Sequence, residues 1–300
     1  TRNHTDMETN KITSRAALFC GVALMLTSCV KDDIDNTPHP SQGAIVITTD
    51  WSSRADQAVQ PVSYTLRVSG QSGQSDEQPV KGNTNIFHSL LAPAAYELLV
   101  YNTPEAITVT GDVATIASTD ENNIEALPGY LFSATQTLDI VKDDTLFVTM
   151  GMLQHIRQLT LVLKLKEGDH DRITSLNATL SGIASSINLA TGAWVSPTGV
   201  SLSPVFEKTE EKDGTPTLTA TIRLLGIIAE EKQELRIAVA LNNQSVYTIK
   251  TDLTEVLQKC FDGSMTPLVL GANFDLPSQG DFSGNINSWN SVEGGHVDIH

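Results

Sequence analysis

The thiol of Cys29 closes the tetrapeptide Leu26-Thr27-Ser28-Cys29, which follows an unbroken apolar run from Ala16 to Leu26 preceded by Lys11 and Arg15. Small residues before a cysteine let a signal peptidase fit the backbone, and the cysteine thiol is the atom that receives diacylglycerol. The spacing predicts a signal peptide over residues 1–28 with Met7 as its start, cleavage between Ser28 and Cys29, and lipidation at Cys29. The apolar run is about half the ~20 residues a transmembrane helix needs, so it suits a signal and not a permanent span.

Other reactive residue types lead to less. In His296-Val297-Asp298-Ile299-His300 three ligating side chains alternate onto one strand face. Residues four apart on a strand lie ~13 Å from each other, too far for both imidazoles to reach one ion at ~2.1 Å without a turn, so no metal site is expected. Paired acids such as Asp143-Asp144 and Glu230-Glu231 read as turn and surface residues, since neighbours on a strand point to opposite faces and cannot flank one bond. Gly-x-Ser-x-Gly, Gly-x-Gly-x-x-Gly and a Gly-Lys-Ser/Thr phosphate loop are all missing, and no two cysteines have zinc spacing. No cofactor and no catalytic residue is expected.

With Cys20 removed in the signal and Cys29 acylated, Cys260 has no partner for an intramolecular disulfide. It falls on the stripe Leu253, Val256, Leu257, Cys260 and reads as a small buried hydrophobe. Aromatic residues make up 5% of the chain, which is thin for a sugar-binding platform. Trp194, in Ala190-Thr191-Gly192-Ala193-Trp194, is the best candidate for an exposed ring and is read as a loop tryptophan folded back on its sandwich.

These residues have to be carried by something, and the elements are strands. The formal net charge is −16, and phosphate binding needs clustered Lys and Arg, so nucleic acid is excluded as a partner. Residues 29–42 carry prolines and aspartates with almost nothing to bury, and read as an acylated tether. From Gly43 on, the apolar period is two: Ile45, Ile47, Thr49 and Trp51 share one face, then Val62, Tyr64, Leu66 and Val68. A second series starts with Leu159, Leu161, Leu163 and Leu165, with Gln158, Thr160, Lys164 and Lys166 turned to the other face. Short strands with turn signals between them argue for antiparallel sandwiches, an N-terminal one over 43–152 and a C-terminal one over 153–300. One short amphipathic helix is predicted over Asp252 to Lys259, capped by Thr251 or Asp252.

Several segments resemble the fimbrillin superfamily of Bacteroidales, in particular its FimB-like lipoprotein fimbrial anchor group. In the first half these are Gly43 to Ser52, Leu91 to Asn102, and Leu127-Pro128-Gly129-Tyr130-Leu131-Phe132. The second half adds Leu180 to Ala184, Asn188 to Gly192, Ile286 to Trp289 and Gly294 to Ile299. Lys31-Asp32-Asp33, just after the lipidated cysteine, is similar to the export signal that places Bacteroidetes lipoproteins on the outer face of the outer membrane. The resemblance implies two tandem transthyretin-like Greek-key β-sandwiches, no enzymatic activity, and assembly with other fimbrial subunits by strand exchange. It also implies a surface-exposed outer-membrane location through the lipid anchor. An anchor keeps its first strand, whereas a stalk subunit loses it to an arginine-specific protease. Arg54, in Ser52-Ser53-Arg54-Ala55, stands where a stalk precursor would be cut, so a stalk pilin is the alternative. A surface lipoprotein that binds glycan is the alternative of another class, with the glycan or host ligand unknown.

Overall fold

The computed structural model describes residues 40–261, 263–277 and 283–292. In chain order its strands begin β1 (Ala44–Asp50), β2 (Ser63–Gly70), β3 (Ser75–Lys81), β4 (Thr84–Ile86), β5 (Ala94–Tyr101) and β6 (Ile107–Thr110). Next come β7 (Val113–Ile116), β8 (Asn123–Ile124), β9 (Phe132–Ile140), β10 (Thr145–Gly151), β11 (Leu153–Gln154) and β12 (Arg157–Lys164). Helix α1 (Asp169–Arg172) precedes β13 (Ile173–Ser181), β14 (Ser186–Asn188), β15 (Ser201–Leu202), β16 (Glu207–Glu210) and β17 (Pro216–Leu224). The series ends with β18 (Glu234–Leu241), β19 (Val246–Asp252), α2 (Thr254–Cys260), β20 (Leu268–Asp275) and β21 (Asn285–Ser291). The chain is all-β, as expected.

Two sheets build the first sandwich, in the orders β10-β1-β4 and β11-β9-β5-β2-β3. The period of two in β1 buries Ile45, Ile47 and Thr49, and Trp51 follows them into a core with Tyr64, Leu66, Leu98 and Phe132. Val62, expected on the same face as Tyr64, lies before β2 and is exposed. The second sandwich uses the orders β16-β17-β12-β20-β21 and β19-β18-β13-β15-β8 around Leu159, Leu161, Leu163, Ile237 and Phe274. Each sandwich sets its first strand parallel to a late one: β1 runs with β10, and β12 with β20. Parallel neighbours need long crossovers, which ties both ends of each sandwich together.

The alternation expected along β12 is only half realised. Thr160 and Val162 are buried along with the leucines, so β12 is enclosed on both faces and has partners on both edges. The helix expected over Asp252 to Lys259 starts at Thr254, because Asp252 still pairs with Glu234 at the end of β19. Leu253 therefore holds the N-cap position, with no side-chain cap of its own, in place of the expected Thr251 or Asp252; the Asp252 carboxylate accepts the Thr254 N–H at 2.9 Å from one residue earlier, and Leu253 and Leu257 are buried. The one-turn α1 is additional, being too short to leave a helical period in the sequence.

Between β5 and β9 the chain leaves the first sandwich. Strand β7 pairs with β14, β8 pairs with β15, and Ile107, Ile116, Ile124 and Leu131 are buried in the larger core of the second half. This excursion fastens one sandwich to the other, and nothing in the strand periodicity announces it.

Candidate functional site

The geometry around the first strand is set residue by residue. Gly43 leads into it where a Cβ would lie 2.4 Å from the Val141 carbonyl oxygen, so only glycine lets the chain enter alongside the turn before β10. From Ala44 to Asp50 the strand runs in unbroken parallel register with Thr145 to Gly151, and on its other edge Val46 to Thr48 pair with Ile86 to Thr84. At its end the Trp51 indole N–H donates to Thr49 Oγ1 at 2.9 Å, and the ring meets Tyr64 and Phe132 edge-on, with centroids 5.6 and 5.4 Å away. The Tyr64 hydroxyl donates to the Gly82 carbonyl at 2.7 Å and accepts from Asn85 Nδ2 at 2.9 Å, so the polar end of this cluster is satisfied. The last residue of the strand is held too: the Ser52 N–H on the Asp50 carboxylate lowers that group's pKa below its usual value.

Arg54 follows in a tight turn, its N–H donating to the Trp51 carbonyl at 3.3 Å, and its side chain is half-buried. Both sides of the turn are tied down. Ser53 Oγ donates to the Met152 carbonyl at 2.8 Å, and the Ala55 N–H, on the far side of the Arg54–Ala55 bond, donates to Gln154 Oε1 at 2.9 Å. Gln154 is itself buried and donates to the Ile156 carbonyl at 2.7 Å, and Ala58 is fully buried. Arg54 and Asp56 line a cleft whose other wall is Met265, Thr266 and Pro267 of the second half. A protease reads extended backbone, and Arg54 lies in a hydrogen-bonded turn.

The sequence reading missed the polar groups where the two halves meet. Arg67 looks like an outward strand cation, yet it is buried: it pairs with Asp112, donates to the Gly111 carbonyl at 2.5 Å, and lies 5.6 Å over the Tyr101 ring. Arg223, half-buried, lies over the Tyr130 ring at 4.3 Å from the other side and donates to the Pro128 carbonyl at 3.1 Å. His155, between β11 and β12, shares a 2.7 Å hydrogen bond through Nε2 with Ser133 Oγ, and burial pushes its pKa down to about 4. No sequence spacing links these pairs: the excursion brings Gly111 and Asp112 to Arg67 and Pro128 and Tyr130 to Arg223, and the pairing of β11 with β9 sets His155 beside Ser133.

The remaining candidates are dispersed. Ser28 and Cys29 lie outside the described residues, as do His296, Asp298 and His300. Cys260 is half-buried at the end of α2. Trp194 lies against Gly226, where a Cβ would come within 2.5 Å of its ring, and it stays 44% exposed. Among the described residues no group of His, Cys, Asp and Glu could hold a metal, and no helix is long and apolar enough to cross a membrane.

Comparison with known proteins gives this geometry a context. The family described as fimbrillin-A associated anchor proteins Mfa1 and Mfa2 matches residues 64–293. The fimbrial anchor protein Mfa2 from Porphyromonas gingivalis has the same fold at a TM-score of 0.57 and 10% identity, covering 85% of this chain and 98% of that one. A candidate adhesin from Bacteroides ovatus reaches 0.57 at 14% identity, over 86% of this chain and 96% of its own. A candidate polysaccharide-binding protein from Bacteroides thetaiotaomicron reaches 0.51 at 10% identity, over 84% and 98%. No curated protein matches significantly in sequence.

Proposed function

The chain belongs to the family of fimbrillin-A associated anchor proteins, and from that premise we propose that it is the lipid-anchored minor subunit that fixes a fimbria to the outer membrane. In this reading it is not an enzyme and takes no cofactor. Cys29 carries the lipid at the membrane, residues 29–42 form the tether, the two sandwiches are built on 43–152 and 153–300 with β8 of the first stretch lent to the second sandwich, and strand exchange joins the protein to other fimbrial subunits.

The observation that carries the reading is the state of the first strand. Strand β1 is seated in its sheet with a partner on each edge, and its Ile45, Ile47 and Trp51 fill the core. The Arg54–Ala55 bond that would release it is held in a hydrogen-bonded turn. Both features suit a subunit that keeps its first strand, which supports an anchor over a stalk pilin cut after Arg54.

The test is Cys29→Ala, followed by metabolic labelling with a fatty-acid probe and recovery of fimbriae on cells. Loss of label together with shedding of fimbriae into the medium is the expected result. A mutant that keeps its label, or that sheds no fimbriae after losing it, contradicts the reading.

A further inference from the structure

Strands at the edge of a sheet are templates for pairing, and proteins blunt them with charge, proline, bulges or cover. Four edge strands of seven residues occur among the described residues: β3, β10, β19 and β21. Strand β3 carries Asp76, Glu77, Pro79 and Lys81; β19 carries Lys250 and Asp252; and β21 is broken by a register shift against β20. Strand β10, Thr145-Leu146-Phe147-Val148-Thr149-Met150-Gly151, has none of these devices, and its register with β1 has no irregularity.

The hydrogen-bond pattern says which groups are on offer. The Ala44 N–H donates to the Asp144 carbonyl at 2.9 Å, and the Met152 N–H donates to the Asp50 carbonyl at 2.8 Å. Even-numbered residues of this stretch therefore turn their main chain to β1, and main-chain groups alternate sides along a strand. The N–H and C=O groups of Phe147 and Thr149 face the open edge. Their side chains sit on the outer face of the sheet, where Phe147 is 75% exposed. Phe147 pairs across with Val46, and Val46 pairs with Ile86, itself 66% exposed, so one apolar row crosses all three strands.

We infer that the free edge of β10 is an acceptor for an extended, uncharged strand from a different fimbrial subunit, which adds to the β10-β1-β4 sheet and covers Phe147. The inference rests on the fimbrial reading above for the nature of the donor. Charge chooses between donors. A second copy would bring a formal −16 against −16, whereas the strand itself carries no charge and makes no demand for one. The mode is strand addition to an intact sheet, with main-chain bonds for affinity and the Phe147 row for register. It needs no departure of β1, so a subunit that keeps its first strand can still be joined by strand pairing.

The test places a benzoylphenylalanine photocrosslinker at Phe147 in the full chain on cells, with Val205, exposed in a loop, as the control position. Expected is a cross-link from position 147 into one extended segment of a fimbrial subunit, and none from position 205. Two variants accompany it. Thr149→Pro removes an N–H that faces the open edge and leaves the ladder to β1 intact, and Phe147→Lys adds charge to the row if the proline variant fails to fold. Each is expected to cut the fimbriae recovered with the protein by about tenfold or more, with an unchanged thermal melt. A cross-link to residues 30–40 of the same chain, to a second copy, or to nothing overturns the inference. So does undiminished recovery of fimbriae in a folded variant. Failure of the anchor reading shows separately, as wild-type protein that recovers no fimbriae at all.

Discussion

The first strands of the two sandwiches occupy equivalent places and are held very differently. Strand β1 pairs along its length with β10, takes only Ile86, Asn85 and Thr84 of β4 on its other edge, and leaves Val46 and Thr48 part-exposed on its outer face. Strand β12 pairs from Arg157 to Lys164 with β17 and from Leu159 to Lys164 with β20, and buries both faces. It is also pinned by Arg157, whose Nε donates to the Thr266 carbonyl at 2.6 Å and whose guanidinium lies over Phe261. The two first strands are thus held to different degrees: β1 has one edge paired over only three residues and one part-exposed face, and β12 has neither.

The largest effect that would sharpen this contrast is removal of β1. Deleting residues 43–51 takes away Ile45, Ile47 and Trp51 at about 1.5 to 3 kcal/mol each, a sum comparable with the ~5 to 15 kcal/mol stability of a whole domain. It also unpairs the inner edge of β10. The expected product aggregates, shows a lost N-terminal melting transition by calorimetry, and regains it when a peptide of residues 43–53 is added. A deletion that melts like the parent would break the comparison.

Point changes test it more finely. Ile47 and Leu161 are both fully buried, one on each first strand. Truncation of either to alanine is expected to cost about 2 to 5 kcal/mol in urea melts, with Leu161→Ala toward the upper end. The difference arises because β12 is clamped on both edges and cannot collapse into the cavity. An Ile47→Ala penalty equal to or larger than that of Leu161→Ala would show β1 to be held as rigidly as β12.

His155 gives the pH dependence of the junction between the two. Its folded-state pKa of about 4 lies below the ordinary 6.5, so the unfolded chain takes up a proton that the folded chain refuses. The stability that depends on a neutral ring is complete above pH 6.5 and declines as pH falls from 6.5 toward 4, by about 3 kcal/mol in all. His155→Gln is expected to flatten melting temperature against pH across that window. An unchanged slope would locate the acid sensitivity in the carboxylates instead.

What the sequence disclosed follows from what it can encode locally. Alternation along Ile45, Ile47, Thr49 and Trp51 is a property of one strand, and it was legible, as were the buried leucines of the Leu159 series and the apolar stripe of α2, of which Leu253 and Leu257 are buried and Val256 and Cys260 partly so. The excursion was not, because β7 and β8 are too short to carry a period and their partners Ser186–Asn188 and Ser201–Leu202 lie far along the chain. Arg67 and His155 were silent for the same reason: what buries them is another segment. Nor does composition separate an edge strand from a central one. The apolar runs of β10 and β12 look alike, and only the pairing shows that one has an open side.

The most direct measurement is the N-terminus of the protein that travels with fimbriae. Intact mass and terminal-peptide analysis of protein isolated from membranes together with fimbriae is expected to find a diacylated Cys29 and an unbroken chain through Arg54. A terminus at Ala55, with β1 gone, would contradict the account and make the protein a stalk subunit.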